Sequence, residues 1–226
     1  MKHKYLDIGE DFAGIMGELP SCFNGVIFGK PGQGKTEFCI RLAKRLTKYG
    51  RVAWMGYETG HSADMQKVAK RNKLDEVSGL FIPIDPLEKI RSPKVGETLS
   101  DVLFEDLVSY LKKRNSPQFV FIDSYDYTRF TFEQYDKLKQ LFKKKKGIIW
   151  ICHAKGNAPK LQTAKDIEHD GQFGINVKGY VAYVDKSRLG GRFPYIVWPE
   201  EVKRRLDIDP KAYSKDVVHE LNAMSL

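Results

Sequence analysis

Short apolar runs alternate along the chain with longer stretches in which apolar residues recur every three or four positions. The short runs have the length of buried strands, and the longer stretches have the period of amphipathic helices. The predicted strands are Gly25–Gly29, Arg51–Gly56, Leu80–Ile84, Gln118–Asp123 and Gly147–Cys152. The predicted helices are Lys35–Tyr49, Ser62–Asn72, Thr98–Arg114 and Thr131–Phe142. This alternation predicts an α/β fold, with a mainly parallel twisted sheet flanked by helices.

Near the C-terminus the pattern changes to alternation of apolar and polar residues. Tyr180–Lys186 and Pro194–Trp198 flank the pair Gly190-Gly191, which is typical of a turn. We therefore expect a C-terminal β-hairpin. Beyond it, Pro210–Leu221 has the apolar spacing of a short helix.

Composition narrows the class of protein. The 226 residues are 42% hydrophobic and 12% aromatic, which suits one large domain with its own core and excludes disorder as the main state. The three cysteines show no CxxC spacing, which argues against a disulfide framework or a zinc site. No apolar run approaches the ~20 residues that span a bilayer, and no secretory signal is visible. We expect a cytoplasmic protein without a membrane segment.

The net charge of +9 favours polyanionic partners, because binding a polyanion releases its counterions. Many basic proteins bind no nucleic acid, so charge alone leaves this partner open.

One segment has the spacing of a phosphate-binding loop. Residues Gly29–Thr36 read GKPGQGKT and match G-x-x-x-x-G-K-[ST]. Glycines allow the tight turn that points successive amides at phosphate oxygens, the lysine reaches the β- and γ-phosphates, and the threonine offers a hydroxyl to Mg²⁺. An apolar strand before the loop and a helix after it favour this site over a glycine-rich turn without a ligand. The predicted ATP-binding residues are Gly29, Lys30, Pro31, Gly32, Gln33, Gly34, Lys35, Thr36 and Glu37.

Asp123 ends the apolar run FVFID, at the carboxyl end of a predicted strand. A carboxylate at that place can hold Mg²⁺ through a coordinated water, with Thr36 as the second metal-binding residue. The alternative is an aspartate that only caps the next turn.

With these motifs in place, the chain resembles the RecA-like ATPases, most closely the branch of RadA, DnaB helicase and KaiC. The resemblance runs from about Leu19 to Trp198. It depends on the segments NGVIFGKPGQGKT, RVAWMGYETG, QFVFIDS, GIIWICH and YVAYVDKSRLGG. It implies a RecA-like P-loop NTPase core over residues 19–198. Residues 1–18 would form an N-terminal arm that could pack on a neighbour, and residues 199–226 a polar C-terminal tail.

The resemblance also implies catalytic roles beside that of Lys35. Glu58 matches the catalytic glutamate, His153 the polar sensor near the γ-phosphate, and Lys186 and Arg188 the K-x-R pair that reaches the ATP of a neighbouring subunit. We expect the strand before Glu58 to lie beside the phosphate-loop strand, where a carboxylate can orient or deprotonate the attacking water. The alternatives are a solvated glutamate, a satisfied strand-end histidine and ordinary surface cations.

In RecA-like rings, the segments after the Mg²⁺ strand and after the sensor strand grip single-stranded nucleic acid. They match Ser124–Phe130 and Ala154–Thr163 here. Aromatic rings beside cations suit sequence-tolerant binding of single strands. The predicted contacts are Tyr125, Tyr127, Arg129, Lys155 and Lys160. The alternative is that the tyrosines pack under the next helix.

These observations together predict a Mg²⁺-dependent ATPase that works as a homo-oligomer, a hexameric ring or a filament, on single-stranded DNA. Its use would be that of a helicase- or recombination-type motor. Two alternatives stay open: a KaiC-like signalling ATPase that switches protein partners, and an ATP-binding assembly subunit without hydrolysis. A small-molecule kinase is disfavoured, because Glu58 and the K-x-R pair suit attack by water better than an acceptor pocket.

Overall fold

The computed structural model describes residues 5–58 and 60–206, and within them the strands form one nine-stranded sheet. The strands are β1 Asn24–Gly29, β2 Val52–Gly56, β3 Phe81–Ile84, β4 Phe119–Asp123, β5 Gly147–Lys155, β6 Ala158–Pro159, β7 Phe173–Lys178, β8 Val181–Ser187 and β9 Tyr195–Ile196. The helices are α1 Glu10–Met16, α2 Lys35–Leu46, α3 Ala63–Arg71, α4 Leu99–Lys112, α5 Tyr125–Thr128, α6 Phe132–Phe142, α7 Gln162–Asp170 and α8 Pro199–Leu206. None of the helices in these residues is long and apolar enough to cross a membrane.

The sheet is mostly parallel, which confirms the predicted α/β class. Its strand order is β3-β2-β4-β5-β1-β7-β8-β9, and β6 pairs with the end of β5. All neighbours from β3 to β7 run parallel, while β7, β8 and β9 pair antiparallel.

One prediction about strand order is wrong. The strand before Glu58, β2, does not lie beside β1, because β4 and β5 come between them. Strands β2 and β4 are buried along their whole length, and β1 is buried at every residue after Asn24. A strand that is buried on both faces is apolar at every position, so its sequence carries no information on which neighbour it takes.

The core consists of two apolar layers, one on each face of the sheet. Along β4, Phe119 and Phe121 enter one layer, and Val120 and Ile122 enter the other, as expected for successive residues of a strand. Helices α1, α2 and α3 contribute buried residues to the first layer, and α4, α6 and α7 to the second. Because both faces are covered, functional groups can gather only at the ends of the strands.

The described part of the N-terminal segment packs on its own chain. Ile8, Phe12, Ile15 and Met16 are buried in the first layer, and the Phe12 ring stacks on Tyr195 with centroids 4.7 Å apart. Residues 5–18 therefore complete the core in cis. The helix predicted over Pro210–Leu221 lies outside the described residues.

The C-terminal hairpin differs from its prediction. The tight antiparallel pair is β7–β8, joined by Gly179 and Tyr180, and β7 was not predicted. The predicted pair, β8–β9, has only two residue pairs in register. Gly190 and Gly191 belong to a longer connection, because this segment lies against the end of α1, where Glu18 donates its backbone N–H to the carbonyl of Leu189 at 2.8 Å.

Candidate functional site

Four predicted site residues meet at the carboxyl edge of the parallel strands. Gly29 at the end of β1 lies opposite His153 of β5, and Asp123 at the end of β4 lies opposite Gly56, the last residue of β2. Glu58 follows two residues later, and its backbone N–H donates to the Asp123 carbonyl at 3.2 Å. The strand ends therefore gather the loop, two carboxylates and an imidazole.

The loop after β1 has the conformation that its glycines allow. Gly32 and Gly34 have φ values of 69° and 97°, which disfavour L side chains. At Gly29 a Cβ would clash with the carbonyl oxygen of Val177. Because α2 begins at Lys35, the first amides of the helix have no partner within it, and together with the loop they can hold an anion.

The β7–β8 turn holds the loop in place. The Gln33 carbonyl accepts from the Tyr180 N–H at 3.0 Å, and the Gln33 side-chain oxygen accepts from the Gly179 N–H at 2.7 Å. Gln33 therefore supports the loop by its side chain. Tyr180 has a φ of 63°, a conformation that costs energy in a residue with a Cβ, as is common near functional sites.

Lys35 is a buried cation in the loop. Its Nζ donates to the carbonyl of Lys30 at 3.3 Å, which folds the side chain back over the loop. Burial lowers the pKa of the ammonium, and the charges of Asp123 and Glu58 oppose that shift. An anion bound by the loop would compensate the same buried charge.

Asp123 is a carboxyl group with only 7% of its surface exposed. Burial, and then the negative charge of Glu58, raises its pKa to about 7. Asp123 thus lies beside a second carboxylate that disfavours its ionisation, an arrangement suited to a cation between the two groups. Thr36, half-buried in the first turn of α2, offers the hydroxyl predicted for the same metal.

Glu58 and His153 form a pair. His153 Nε2 lies 3.1 Å from Glu58 Oε2. This hydrogen bond is the largest influence on Glu58 and lowers the pKa of its carboxyl group. An ionised carboxylate can only accept, so Nε2 is the nitrogen that carries the proton. The structure thus brings together the two side chains predicted as water-activating base and sensor.

Glu37 does not direct its carboxylate to the loop. Its oxygens accept from Arg71 at 2.5 Å, Asn72 at 2.9 Å and Arg41 at 3.1 Å, and the side chain is almost fully buried. Glu37 was predicted to bind ATP. Its side chain is directed elsewhere, and only its backbone amide, at the start of α2, lies near the loop.

The K-x-R pair binds the C-terminal end of α7 in the same chain. Lys186 Nζ donates to the carbonyls of Glu168 at 2.8 Å, Gly171 at 3.0 Å and His169. Arg188 donates to the His169 carbonyl at 3.1 Å. The cations thus cap carbonyls that the helix leaves without partners.

The register also separates this pair from the loop. Lys186 lies opposite Gly174, and Gly174 lies opposite Val26, three residues before Gly29. Lys186 is therefore about 10 Å back along the strands, toward the amino edge of the sheet, and Arg188, whose N–H donates to the Gln172 carbonyl, lies farther back. Lys186 and Arg188 therefore do not contact the phosphate loop of their own chain. Their predicted role at the ATP of a neighbouring subunit stays a prediction.

A groove of about 970 Å³ opens beside the loop, and we name it the α4–α5 groove. Its walls come from the phosphate loop, the start of α4, α5 and the end of β5. The lining includes Pro31, Thr98, Leu99, Ser100, Asp101, Asp126, Tyr127, Arg129, His153 and Lys160.

Three of the five predicted nucleic-acid residues line this groove: Tyr127, Arg129 and Lys160. Tyr127 is 53% exposed. Tyr125 is fully buried, donates its hydroxyl to the Phe130 carbonyl at 2.6 Å and packs edge-on against Trp150, so its ring cannot stack on a base. The alternative, packing beneath the surface, holds for Tyr125.

Lys155 is exposed at the end of β5, next to the groove but not in its lining. It pairs with Ala158 in the short β5–β6 hairpin.

Sequence reasoning missed Asp126. Its Oδ2 accepts from the His153 backbone N–H at 2.8 Å, and the residue lines the α4–α5 groove. A polar residue three positions after a buried strand at a ligand-binding edge is a signal that could have found it. The tyrosines on either side of Asp126 indicate base stacking, and the carboxylate between them was not assigned a role.

Comparison with protein-family models gives no match, and no curated protein is similar to the chain in sequence.

Proposed function

We propose that this chain is a RecA-like P-loop NTPase that binds and hydrolyses ATP with Mg²⁺. The observation that carries the proposal is the loop of Gly29–Thr36 at the strand edge, with buried Lys35 folded over it and the Glu58–His153 pair beside it. A phosphate-binding loop, a cation, two carboxylates and an imidazole are the groups that phosphoryl transfer to water requires.

Each side chain has a separate task in this proposal. Loop amides and Lys35 bind the β- and γ-phosphates, and Glu58 orients or deprotonates the water. His153 holds Glu58 at 3.1 Å and can exchange that bond for one to the γ-phosphate. Mg²⁺ would be held by Thr36 and, through water, by Asp123, where it would neutralise charge on the phosphoryl group.

The quaternary part of the proposal is a cytoplasmic homo-oligomer, a ring or a filament. Lys186 and Arg188 lie about 10 Å or more from their own loop along the strands, so a catalytic role for them requires a neighbouring subunit. In such an assembly they would stabilise charge on the phosphoryl group from outside.

The proposed partner is single-stranded DNA in the α4–α5 groove. Exposed Tyr127 offers a face for stacking, and Arg129 and Lys160 supply positive charge in the same lining. The groove begins at Pro31 of the loop, so a strand bound there would lie next to the site of hydrolysis.

A signalling ATPase that switches protein partners is the second candidate. The burial of Tyr125 favours it, because one of the two tyrosines proposed to stack on bases is unavailable. The apolar side chains Leu87 and Leu99, exposed at 44% and 50% in the groove lining, would also suit a protein partner.

The test is steady-state hydrolysis of MgATP with and without single-stranded DNA, with Lys35→Ala as the blank. Hydrolysis that Lys35→Ala abolishes and that DNA stimulates supports the motor. Hydrolysis unchanged by DNA supports the signalling ATPase, and equal rates in wild type and Lys35→Ala refute the ATPase itself.

A further inference from the structure

The main chain of His153 is hydrogen-bonded to two of the segments that line the α4–α5 groove. Its N–H donates to Asp126 Oδ2 at 2.8 Å, and its carbonyl accepts from the Lys160 N–H at 2.8 Å. Its side chain is bonded to Glu58. A single residue therefore connects the groove to the carboxylate that is proposed to activate water.

Helix α5 is a single turn that is anchored at both ends, because Tyr125 and Thr128 are buried. The Thr128 hydroxyl donates to the Tyr125 carbonyl at 2.8 Å, which ties the two ends together. Between these anchors, Tyr127 points to the groove and Asp126 to the His153 main chain. The Tyr127 and His153 rings are 6.2 Å apart. Tyr127 and Asp126 are thus neighbours in one short turn that links the groove to the His153 main chain.

The Asp126 carboxylate is only half satisfied. Oδ2 holds the His153 N–H, whereas Oδ1 is inaccessible to solvent and has no hydrogen-bond donor among the described residues. Buried acceptors without a donor are rare, and in native proteins they mark strain, chemistry or a bound water. Asp126 is therefore placed where a rearrangement can improve its bonding.

We propose that Asp126 is a positioning residue that couples occupancy of the α4–α5 groove by single-stranded DNA to the release of Glu58 from His153. The inference rests on the proposed ATPase function. A base stacked on Tyr127 displaces α5, Asp126 carries the displacement to the His153 main chain, and the bond from Nε2 to Glu58 loosens. The freed carboxylate then orients the water.

The experiment measures MgATP hydrolysis by the full chain with and without an oligothymidylate, together with oligothymidylate affinity by fluorescence anisotropy. We expect wild type to be stimulated about fivefold or more, the scale of an ordinary coupling between sites. In Asp126→Ala the stimulation should fall below about twofold, while the Kd for the oligonucleotide and the KM for ATP stay within about threefold. If Asp126 had a role in folding alone, its substitution would change the stimulation of kcat and the two affinities together.

Three further variants sharpen the test. Asp126→Asn keeps an oxygen that accepts from the His153 N–H, so it should restore most of the stimulation. Asp64→Ala removes a carboxylate that is exposed on α3 and should behave as wild type. If Asp126→Ala does not fold, Asp126→Glu replaces it, because one extra methylene displaces the same carboxylate and should also uncouple the sites.

The outcomes separate the two proposals. A wild type without hydrolysis overturns the ATPase and the coupling with it. Hydrolysis without stimulation overturns the coupling but leaves the ATPase intact. Full stimulation in Asp126→Ala, or an Asp126→Asn variant as uncoupled as Asp126→Ala, overturns the role of Asp126 alone.

Discussion

Replacing Lys186 with alanine tests whether this cation serves its own subunit or a neighbour. In the structure its ammonium donates to the carbonyls of Glu168, His169 and Gly171 at the end of α7. Burial lowers the pKa of that ammonium, so its contacts are partly shielded from water. The substitution leaves three carbonyls without their shared donor.

The expected loss of stability follows from these contacts. A hydrogen bond from a charged donor contributes about 1.5–3 kcal/mol, and a cation at a helix C-terminus adds about 0.3–1 kcal/mol. Water can reach part of this site, so we expect Lys186→Ala to lower the free energy of unfolding by about 2–3 kcal/mol. At 226 residues this corresponds to a decrease in Tm of about 4–12 °C. Arg188→Ala, which removes one exposed contact, should cost less than about 1 kcal/mol.

Urea unfolding monitored by circular dichroism measures these values, and ATP hydrolysis is measured on the same preparations. A structural role predicts reduced stability, with activity per folded molecule retained in Lys186→Ala. If the unfolding free energy stays within about 0.5 kcal/mol of wild type while turnover falls by orders of magnitude, the capping role is refuted and the catalytic one gains support. Mixing Arg188→Ala with Glu58→Gln should then restore some activity if Arg188 acts across subunits.

Three further predictions concern the loop and two carboxyl groups. Gly34→Ala should weaken ATP binding about 5–30-fold in a titration, because φ is 97° and a Cβ would lie 2.8 Å from the Tyr180 ring; Gly32→Ala has a positive φ but open space around its Cβ, so an equal effect there would assign the loss to the backbone and contradict a role for the Tyr180 contact. Glu58→Gln should keep ATP affinity and lower turnover about 10²–10⁴-fold; unchanged turnover would remove Glu58 from the mechanism. Burial and a neighbouring carboxylate raise the pKa of Glu168 from 4.5 to about 8, so the folded state binds the proton more tightly and stability is lost as pH rises through that window. The unfolding free energy of wild type should decrease by up to about 1.4 kcal/mol per pH unit relative to Glu168→Gln, and parallel pH profiles from urea unfolding would refute this.

The strands β1, β2 and β4 and the first part of β5 could be predicted from sequence because they are almost completely buried. The strand β7, which also pairs parallel with β1, was not predicted. A run such as Gly147–Cys152 has no polar position that would place it on a surface. The loop of Gly29–Thr36 could also be predicted, since Gly32 and Gly34 are required by the positive φ of the backbone, whereas Gly29 is required by the close approach of the Val177 carbonyl. Strand order could not be predicted, because a uniformly apolar strand carries no information on which strands lie beside it.

The groove residues show where local pattern stops being informative. Tyr125 and Tyr127 are two positions apart in one segment, yet one is fully buried and the other is 53% exposed. The sequence was consistent with an extended loop that exposes both. A single turn of helix, α5, instead rotates them to different sides, and its position depends on the packing of Tyr125 against Trp150.

The corrected strand order changes how the phosphate loop and Glu58 can be connected. Since β4 and β5 separate β1 from β2, the loop and Glu58 do not share a strand boundary. His153 fills that gap: it lies opposite Gly29 in the register of β1 and β5, and its imidazole reaches Glu58. A phosphate bound in the loop would therefore influence Glu58 through His153, the same residue whose main chain is bonded to Asp126 and Lys160 in the groove lining. Nucleotide and groove ligand would act on one hydrogen bond, so each should change the apparent affinity for the other by the same factor.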